Sequence, residues 1–433
     1  MQCPKPNVVK IGKTFTNLLT TTALVSMELT RALGPAYGQV IADPGAPIAN
    51  RPSIGVSAAG NVPSINITTP SSGVSLNRYQ QFNVDPSGVI LNNTASDSVS
   101  SLGSVSGNSN LSVSGPAQTI VNVVPEAQGT HSRLNGPVAV SGTQADVIIV
   151  NPTGIECQGC RFENAGTTTL STGTATVTGS EVNLDVSQGT LLIGRDGVSA
   201  DGDLSLAARH VYIDGAVTAD GELLVSGGAH GLNAHTKEVT PRPASGAPTS
   251  AYAIDASEFG AMSGSAIRLI GNEVGLGVRA LGDIQSASSI VINSMGGVQT
   301  GSVDAETVNI SADGAVRLFD NVTAAGEVRI SGQDVIVNPG AEINTTGDVA
   351  VTASGGVEVH GEIRGLNTVI EAGDWFLNDG FVFGAESVDI TAETTLENVR
   401  LVEATFEVDY QSWIDDYYDA YLELAASDGL EGY

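Results

Sequence analysis

The stretch Gly326 to Gly355, GEVRISGQDVIVNPGAEINTTGDVAVTASG, decides the fold. Within it Val328-x-Ile330 follows Gly-Glu, Val335-Ile336-Val337 leads into the turn Asn338-Pro339-Gly340, and Val349-x-Val351 follows Gly-Asp. Such alternation puts every second side chain on one face of a strand. The theme restarts from about residue 175 to 405, as Leu204-x-Leu206, Leu223-x-Val225, Ile290-x-Ile292, Val308-x-Ile310 and Val388-x-Ile390. Neighbouring anchors lie about 18 to 21 residues apart, with one missing near Val369, a solenoid period. One rung cannot bury its apolar face alone, whereas stacked rungs bury a continuous Val/Ile/Leu column. The Leu-x-x-Leu-x-Leu pattern of leucine-rich repeats is missing. A β-sandwich would show turns roughly every 8–12 residues without rung-to-rung similarity. The expected fold is all-β, a right-handed parallel β-helix.

Composition agrees. The 433 residues hold 47 acidic and 18 basic side chains, a formal charge of −29. Such a chain lacks the clustered Lys and Arg that neutralise phosphates, so no nucleic-acid partner is expected. Charged residues are 15% and hydrophobic ones 41%, which allows a buried core rather than disorder. Small residues dominate and Lys, Met and aromatics are scarce, which favours short strands over long helices.

The two ends read differently. In residues 1–38, Lys5, Lys10 and Lys13 precede the apolar Phe15 to Met27, and Pro35-Ala36-Tyr37-Gly38 follows. That order is expected to be a signal peptide cut after Gly38. No later segment has the roughly 18 apolar residues of a membrane helix, so no integral membrane span is expected. Residues 406–433 form an acidic tail, where Trp413, Ile414, Tyr417, Tyr418, Tyr421 and Leu422 fall at helical spacing. They are expected to be a short amphipathic cap or an acidic tail. Between the ends, Gly227 to Tyr252 is rich in Gly, Pro, Ala and His and reads as an excursion from the helix body.

The most informative text lies between residues 40 and 175. It includes SSGVSLNRYQQFNVDPSGVILNN (Ser71 to Asn93), GNSNL (Gly107 to Leu111) and LNGPVAVSGTQADVIIVNPTGIECQGCRFENAGTTTLSTG (Leu134 to Gly173). This resembles the N-terminal secretion domain of the filamentous haemagglutinin and haemolysin exoproteins of two-partner secretion. Asn77-Arg78-Tyr79-x-x-Phe82 and Asn151-Pro152-x-Gly154-Ile155 match the family's hallmarks. Asn108, Asn110 and Leu111 stand in a degenerate form of its Asn-Pro-Asn-Leu motif, and Thr153 replaces the usual Asn. Ala253 to Gly282 also looks like a segment common in haemagglutinin-type members. The resemblance implies a secretion domain over 39–285, followed by generic β-helix repeats over 286–405. It also implies an N-terminal cap, extra-helical strands and a partner: an outer-membrane pore whose periplasmic domains recognise the chain. No set of amphipathic transmembrane strands follows the repeats, so a pore supplied in trans is expected.

The candidate chemistry is sparse. Cys157-Gln158-Gly159-Cys160 reads most simply as a local disulfide in an oxidising compartment. It lacks the βαβ setting of a redox motif and a second ligand pair for zinc. Asn151-Pro152-Thr153-Gly154 could be an ordinary β-turn, and its place after the strand Ala145 to Val150 favours the family reading, with turn geometry as its means of action. His230 and His235 read as solvated loop residues rather than ligands. No calcium repeat is visible, so no metal or cofactor is expected. Some β-helices are polysaccharide lyases or hydrolases, but Arg and Lys are thinly spread and no aromatic sugar platform is visible in the rungs. No catalytic residue is therefore assigned. The expected function is an exported, adhesin-like exoprotein of a Gram-negative bacterium, secreted or held at the cell surface, with a host cell surface or matrix as target. The alternatives are a short cytolysin or toxin-delivery member and, last, a carbohydrate-active enzyme.

Overall fold

A computed structural model describes residues 39–58, 62–244, 246–398 and 402–404. In the strand Val328–Gly332, Val328 and Ile330 are buried and Arg329 is exposed, so the alternation in sequence is alternation in space. Val308, Val328 and Val349 are parallel register neighbours, as are Ile310, Ile330 and Val351. All six are buried. Each such side chain contributes about 1.5–3 kcal/mol when taken from water, and only the stack can bury it.

A rung has three strands, as in Val328–Gly332, Val335–Val337 and Glu342–Thr345, and each strand pairs parallel with its counterpart one rung on. One face is a 12-stranded sheet from Ser132–Leu134 to Thr395–Asn398. The long strands Glu362–Ala372 and Phe381–Ala392 each run across the other two faces and join them into one 27-stranded sheet. The rung near Val369 is present. Thr368 lies opposite Val349 and Ile370 opposite Val351, so the missing anchor is a buried threonine whose hydroxyl donates to the Phe383 carbonyl.

The N-terminal end is closed differently. Val40–Ala42 runs antiparallel to Val74–Phe82. The hairpin of Ser53–Val56 and Pro63–Asn66 is antiparallel, and its second strand starts the parallel stack on Val89–Asn93. The chain thus has the cap that the resemblance implied.

Two expectations need correction. Thr174–Thr178 and Glu181–Val186 belong to no rung, although the repeat was expected to begin there. They form an antiparallel hairpin outside the helix, extended by His230–Asn233 and Val239–Pro241 into a four-stranded sheet. The excursion therefore carries structure of its own, and its bounding residues Gly227 and Tyr252 lie in the strands Leu223–Gly227 and Tyr252–Ala256. His230 is fully buried rather than solvated, because this sheet packs on the helix. Val182, Leu184, Val186 and Leu232 of the sheet meet the outward side chains of Val121, Ile148, Val150 and Leu224. Ala145–Val150 is consequently apolar on both sides, which is why it reads Val-Ile-Ile-Val without polar alternation.

Among the described residues the helical elements are three 3-10 turns, and no helix is long and apolar enough to cross a membrane. The expected signal peptide of residues 1–38 and the tail of 406–433 lie outside the described residues.

Candidate functional site

The residues singled out between 77 and 160 gather on the first rungs, and buried asparagines organise them. An asparagine inside a sheet has donors and an acceptor that need partners, and rung corners expose backbone groups that lack them. Asn77 accepts from the Thr68 amide at 2.9 Å and donates to the Ser75 carbonyl at 3.1 Å. One rung on, Asn122 stands opposite Asn77 and accepts from the Tyr79 hydroxyl at 2.9 Å. The Tyr79 ring packs edge-on to Phe82, with centroids 4.9 Å apart, and both are buried on the strand that pairs with the cap strand. Burial pushes the Tyr79 phenol well above its ordinary pKa, so it stays a hydrogen-bond donor. Arg78, between Asn77 and Tyr79 in sequence, is half-buried, and its carbonyl accepts from the Asp43 amide in the cap.

Asn108 caps the 3-10 turn Ser109–Leu111. Its side chain accepts from the Asn110 amide and donates to the carbonyls of Ile67, at 2.9 Å, and Asn92. Asn110 donates to the same Ile67 carbonyl, and Leu111 is buried in the core. The degenerate motif is thus a plug that ties this turn to the cap hairpin and the Val89–Asn93 strand.

Asn151 closes the turn that carries the chain from one face to the next. Its carbonyl accepts from the Gly154 amide at 3.0 Å and its Oδ1 from the Thr153 amide at 3.0 Å. Its Nδ2 donates to the Thr130 carbonyl at 2.8 Å and the Ser132 hydroxyl at 3.0 Å. Pro152 sits where a fixed φ favours the turn. Gly154 has φ +145, and a Cβ there would meet the His131 ring and the Thr190 carbonyl oxygen at 3.2 Å. Ile155 then points into the core. Cys157 and Cys160 are disulfide-bonded with Cα atoms 5.5 Å apart, and both are buried at the next corner.

Most of these side chains are therefore inside the protein: Asn77, Tyr79, Phe82, Asn108, Leu111, Asn151, Pro152, Gly154 and Ile155 are all buried. Their chemistry fixes shape and offers little to a partner's direct touch. Reading the sequence missed Asn92, Asn93 and Asn122, which complete the network. Asn93 bridges the Ala117 amide and carbonyl and the Thr143 carbonyl. The signal was available, since ILNN and IVNVV set asparagine inside apolar strands.

The extra-helical sheet is fastened beside this region. Lys237 donates to Asp203 at 2.6 Å and Glu222 at 2.8 Å, and Arg209, held by Glu273 through two nitrogens at 3.1 and 2.8 Å, donates to the Gly246 carbonyl of the excursion at 2.7 Å. His230 Nε2 lies 2.8 Å from the Ser226 hydroxyl and Nδ1 lies 2.9 Å from the Gly228 carbonyl, an arrangement that suits a neutral ring. Burial lowers its pKa to about 4. His235 is exposed and lies 3.6 Å from Asp146. Among the described residues no group of three or more His, Cys, Asp or Glu is arranged to hold a metal.

Comparison with known proteins gives this arrangement a setting. A family model described as the TPS secretion domain matches residues 38–305. The filamentous hemagglutinin of Bordetella pertussis is 37% identical over 309 residues, covering 69% of this chain and 8% of that protein. A protein named toxin CdiA from Yersinia pestis is 38% identical over 296 residues, covering 66% of this chain and 9% of that protein. The chain thus spans about a tenth or less of the length of these relatives. A crystal structure of a filamentous hemagglutinin secretion domain superposes with a TM-score of 0.54 at 29% identity, covering 84% of this chain and 99% of that one.

Proposed function

Because the chain belongs to the TPS secretion domain family, we propose that it is the secretion-directing part of an adhesin-like exoprotein. In this reading it passes through the periplasm of a Gram-negative bacterium and crosses the outer membrane through a dedicated pore partner, whose periplasmic domains recognise the N-terminal rungs. The exported solenoid then meets a host cell surface or matrix. The region shared with relatives is a secretion domain rather than a catalytic one, and the absence of enzymatic activity is part of the proposal. The names of the toxin relatives do not favour a toxin-delivery reading, because the haemagglutinin shares the same region.

The observation that carries the reading is that most of the family's motif residues are buried in the first rungs, where the side chains of Asn77, Asn108 and Asn151 each satisfy backbone groups at a separate corner. We assign Asn77, Arg78, Tyr79, Phe82, Asn108, Asn110, Leu111, Asn151, Pro152, Gly154 and Ile155 to recognition through the shape of these rungs, and the Cys157–Cys160 disulfide to holding a corner. The test is Asn151→Ile in a strain that carries the partner pore. The side chain loses three hydrogen bonds, and the protein should accumulate in or be degraded from the periplasm. Normal release of that variant, with wild-type circular dichroism, would remove the role assigned to the turn.

A further inference from the structure

A separate site lies near the other end of the described solenoid, away from the motif residues and independent of the secretion reading. Glu342, Glu362 and Phe381 are parallel register neighbours on three successive rungs. Together with His360 and the corner glycines Gly361 and Gly380 they line a surface cleft of about 240 Å3. The glycines are required there: a Cβ on Gly361 would collide with the Ala341 carbonyl oxygen, and one on Gly380 with that of Gly361. The floor is therefore bare backbone.

The walls are organised before any ligand arrives. The Phe381 ring lies parallel to that of Phe383, interplanar angle 10°, with centroids 6.3 Å apart, and both rings are half-exposed. The Arg364 guanidinium sits 4.7 Å from the Phe381 centroid. It is held by Glu362, at 3.0 Å from Nε and 2.6 Å from Nη2, and by Glu342 at 3.4 Å. His360 is pinned between Asp379 at 2.6 Å and Glu358 at 3.0 Å. The sequence showed no aromatic platform in the rungs, because a Phe-x-Phe pair reads as an ordinary strand until its side chains are known to point outward.

We propose that this cleft binds one neutral hexose unit of a glycan. The ring face, with its negative quadrupole, attracts the polarised C–H groups of a pyranose. The Arg364 guanidinium covers one face of the Phe381 ring and holds the carboxylates in place, and those fixed carboxylates accept from pairs of vicinal hydroxyls. Because these groups hold one another in place, little ordering entropy is lost on binding. Charge decides between sugar classes. Glu342, Glu358, Glu362 and Asp379 outnumber Arg364 and His360, so uronic, sialic and sulfated sugars are repelled. Catalysis is not part of the proposal.

The test is isothermal titration of the full chain with the methyl pyranosides of glucose, galactose and mannose, using methyl glucuronoside as the anionic control. At least one neutral glycoside should bind saturably and the glucuronoside should not. Phe381→Ala should weaken that binding by about tenfold or more, and Phe381→Trp should retain it. Phe319→Ala, which removes an exposed phenylalanine on another rung, should leave it unchanged. Circular dichroism checks that each variant is folded, and Phe381→Leu, which keeps apolar bulk but no ring, serves should the alanine variant unfold. Absence of saturable binding by all three neutral glycosides, equal binding in Phe381→Leu, or equal binding of the glucuronoside would overturn the proposal.

Discussion

Changing Val349 to Asp places a carboxylate in the middle of the inward column. Val349 is 1% exposed, with Val328 on one side and Thr368 on the other. An Asp held there stays protonated, since ionising it without a partner costs more. Keeping an acid neutral at pH 7 when its ordinary pKa is about 3.9 costs roughly 4 kcal/mol, and the lost apolar burial adds about 1–2 kcal/mol. A penalty of about 5–6 kcal/mol is enough to open the local rungs. Native-state hydrogen exchange should show protection lost first in Val328–Gly332, Val349–Ala353 and Thr368–Ala372, fading rung by rung and sparing the strands before residue 190. The cost should shrink as pH falls toward 4, where the unfolded chain also binds the proton. The neighbouring Asp348→Asn should change little, because Asp348 is exposed and its acceptor oxygen for Asn367 is retained as an amide oxygen. Uniform loss of protection from residue 40 to 398 in Val349→Asp would mean one cooperative core and refute the rung-by-rung argument.

His230, with a folded pKa of about 4 against an ordinary 6.5, favours the fold only when neutral. Docking of the extra-helical sheet should be fully stable above pH 6.5 and lose up to about 3 kcal/mol by pH 4, read as exchange in His230–Asn233 and Glu181–Val186; flat protection across that window would contradict it. Cys157→Ala with Cys160→Ala should lower stability in urea by only about 2 kcal/mol, because the closed loop is short. Failure of that variant to fold would give the disulfide a larger role. Gly154→Ala should cost about 1–3 kcal/mol through its positive φ and the crowding by His131, measured by the same melt; a wild-type midpoint would show that the turn relaxes freely.

The inward pairs from Leu204 onward were legible because one face of each rung is buried and the other wet, so the pattern alternates and repeats. Between residues 74 and 150 that logic fails. Ile148 and Val150 are apolar yet point outward, and their partners Leu184 and Leu232 come from a hairpin and an excursion that no periodicity links to them. His230 was misread for the same reason: Gly-rich flanks look like a loop until the surface beneath them is known. The motif residues were found by family text, whereas the physical need for them is visible only when Asn77, Asn108 and Asn151 are seen satisfying backbone groups at corners. The cleft at Phe381 was invisible because it is assembled from three rungs, with Glu342, Glu362 and Phe381 each supplied by a different strand.

The extra-helical sheet also gives the molecule two mechanical regimes. Rungs beyond it touch only neighbours, as in the Asn338 to Leu318 bond that spans 20 residues. Tension applied from the C-terminal side should peel such rungs singly, each yielding about 7 nm of contour for some 20 residues at roughly 3.6 Å apiece. The peeling stops being gradual where His230–Asn233, backed by Val239–Pro241, clamps Glu181–Val186, a strand laid down much earlier in the chain. From there the sheet, the rungs beneath it and the cap should yield together, so a force trace would read as a staircase of small, even steps ending in one large drop.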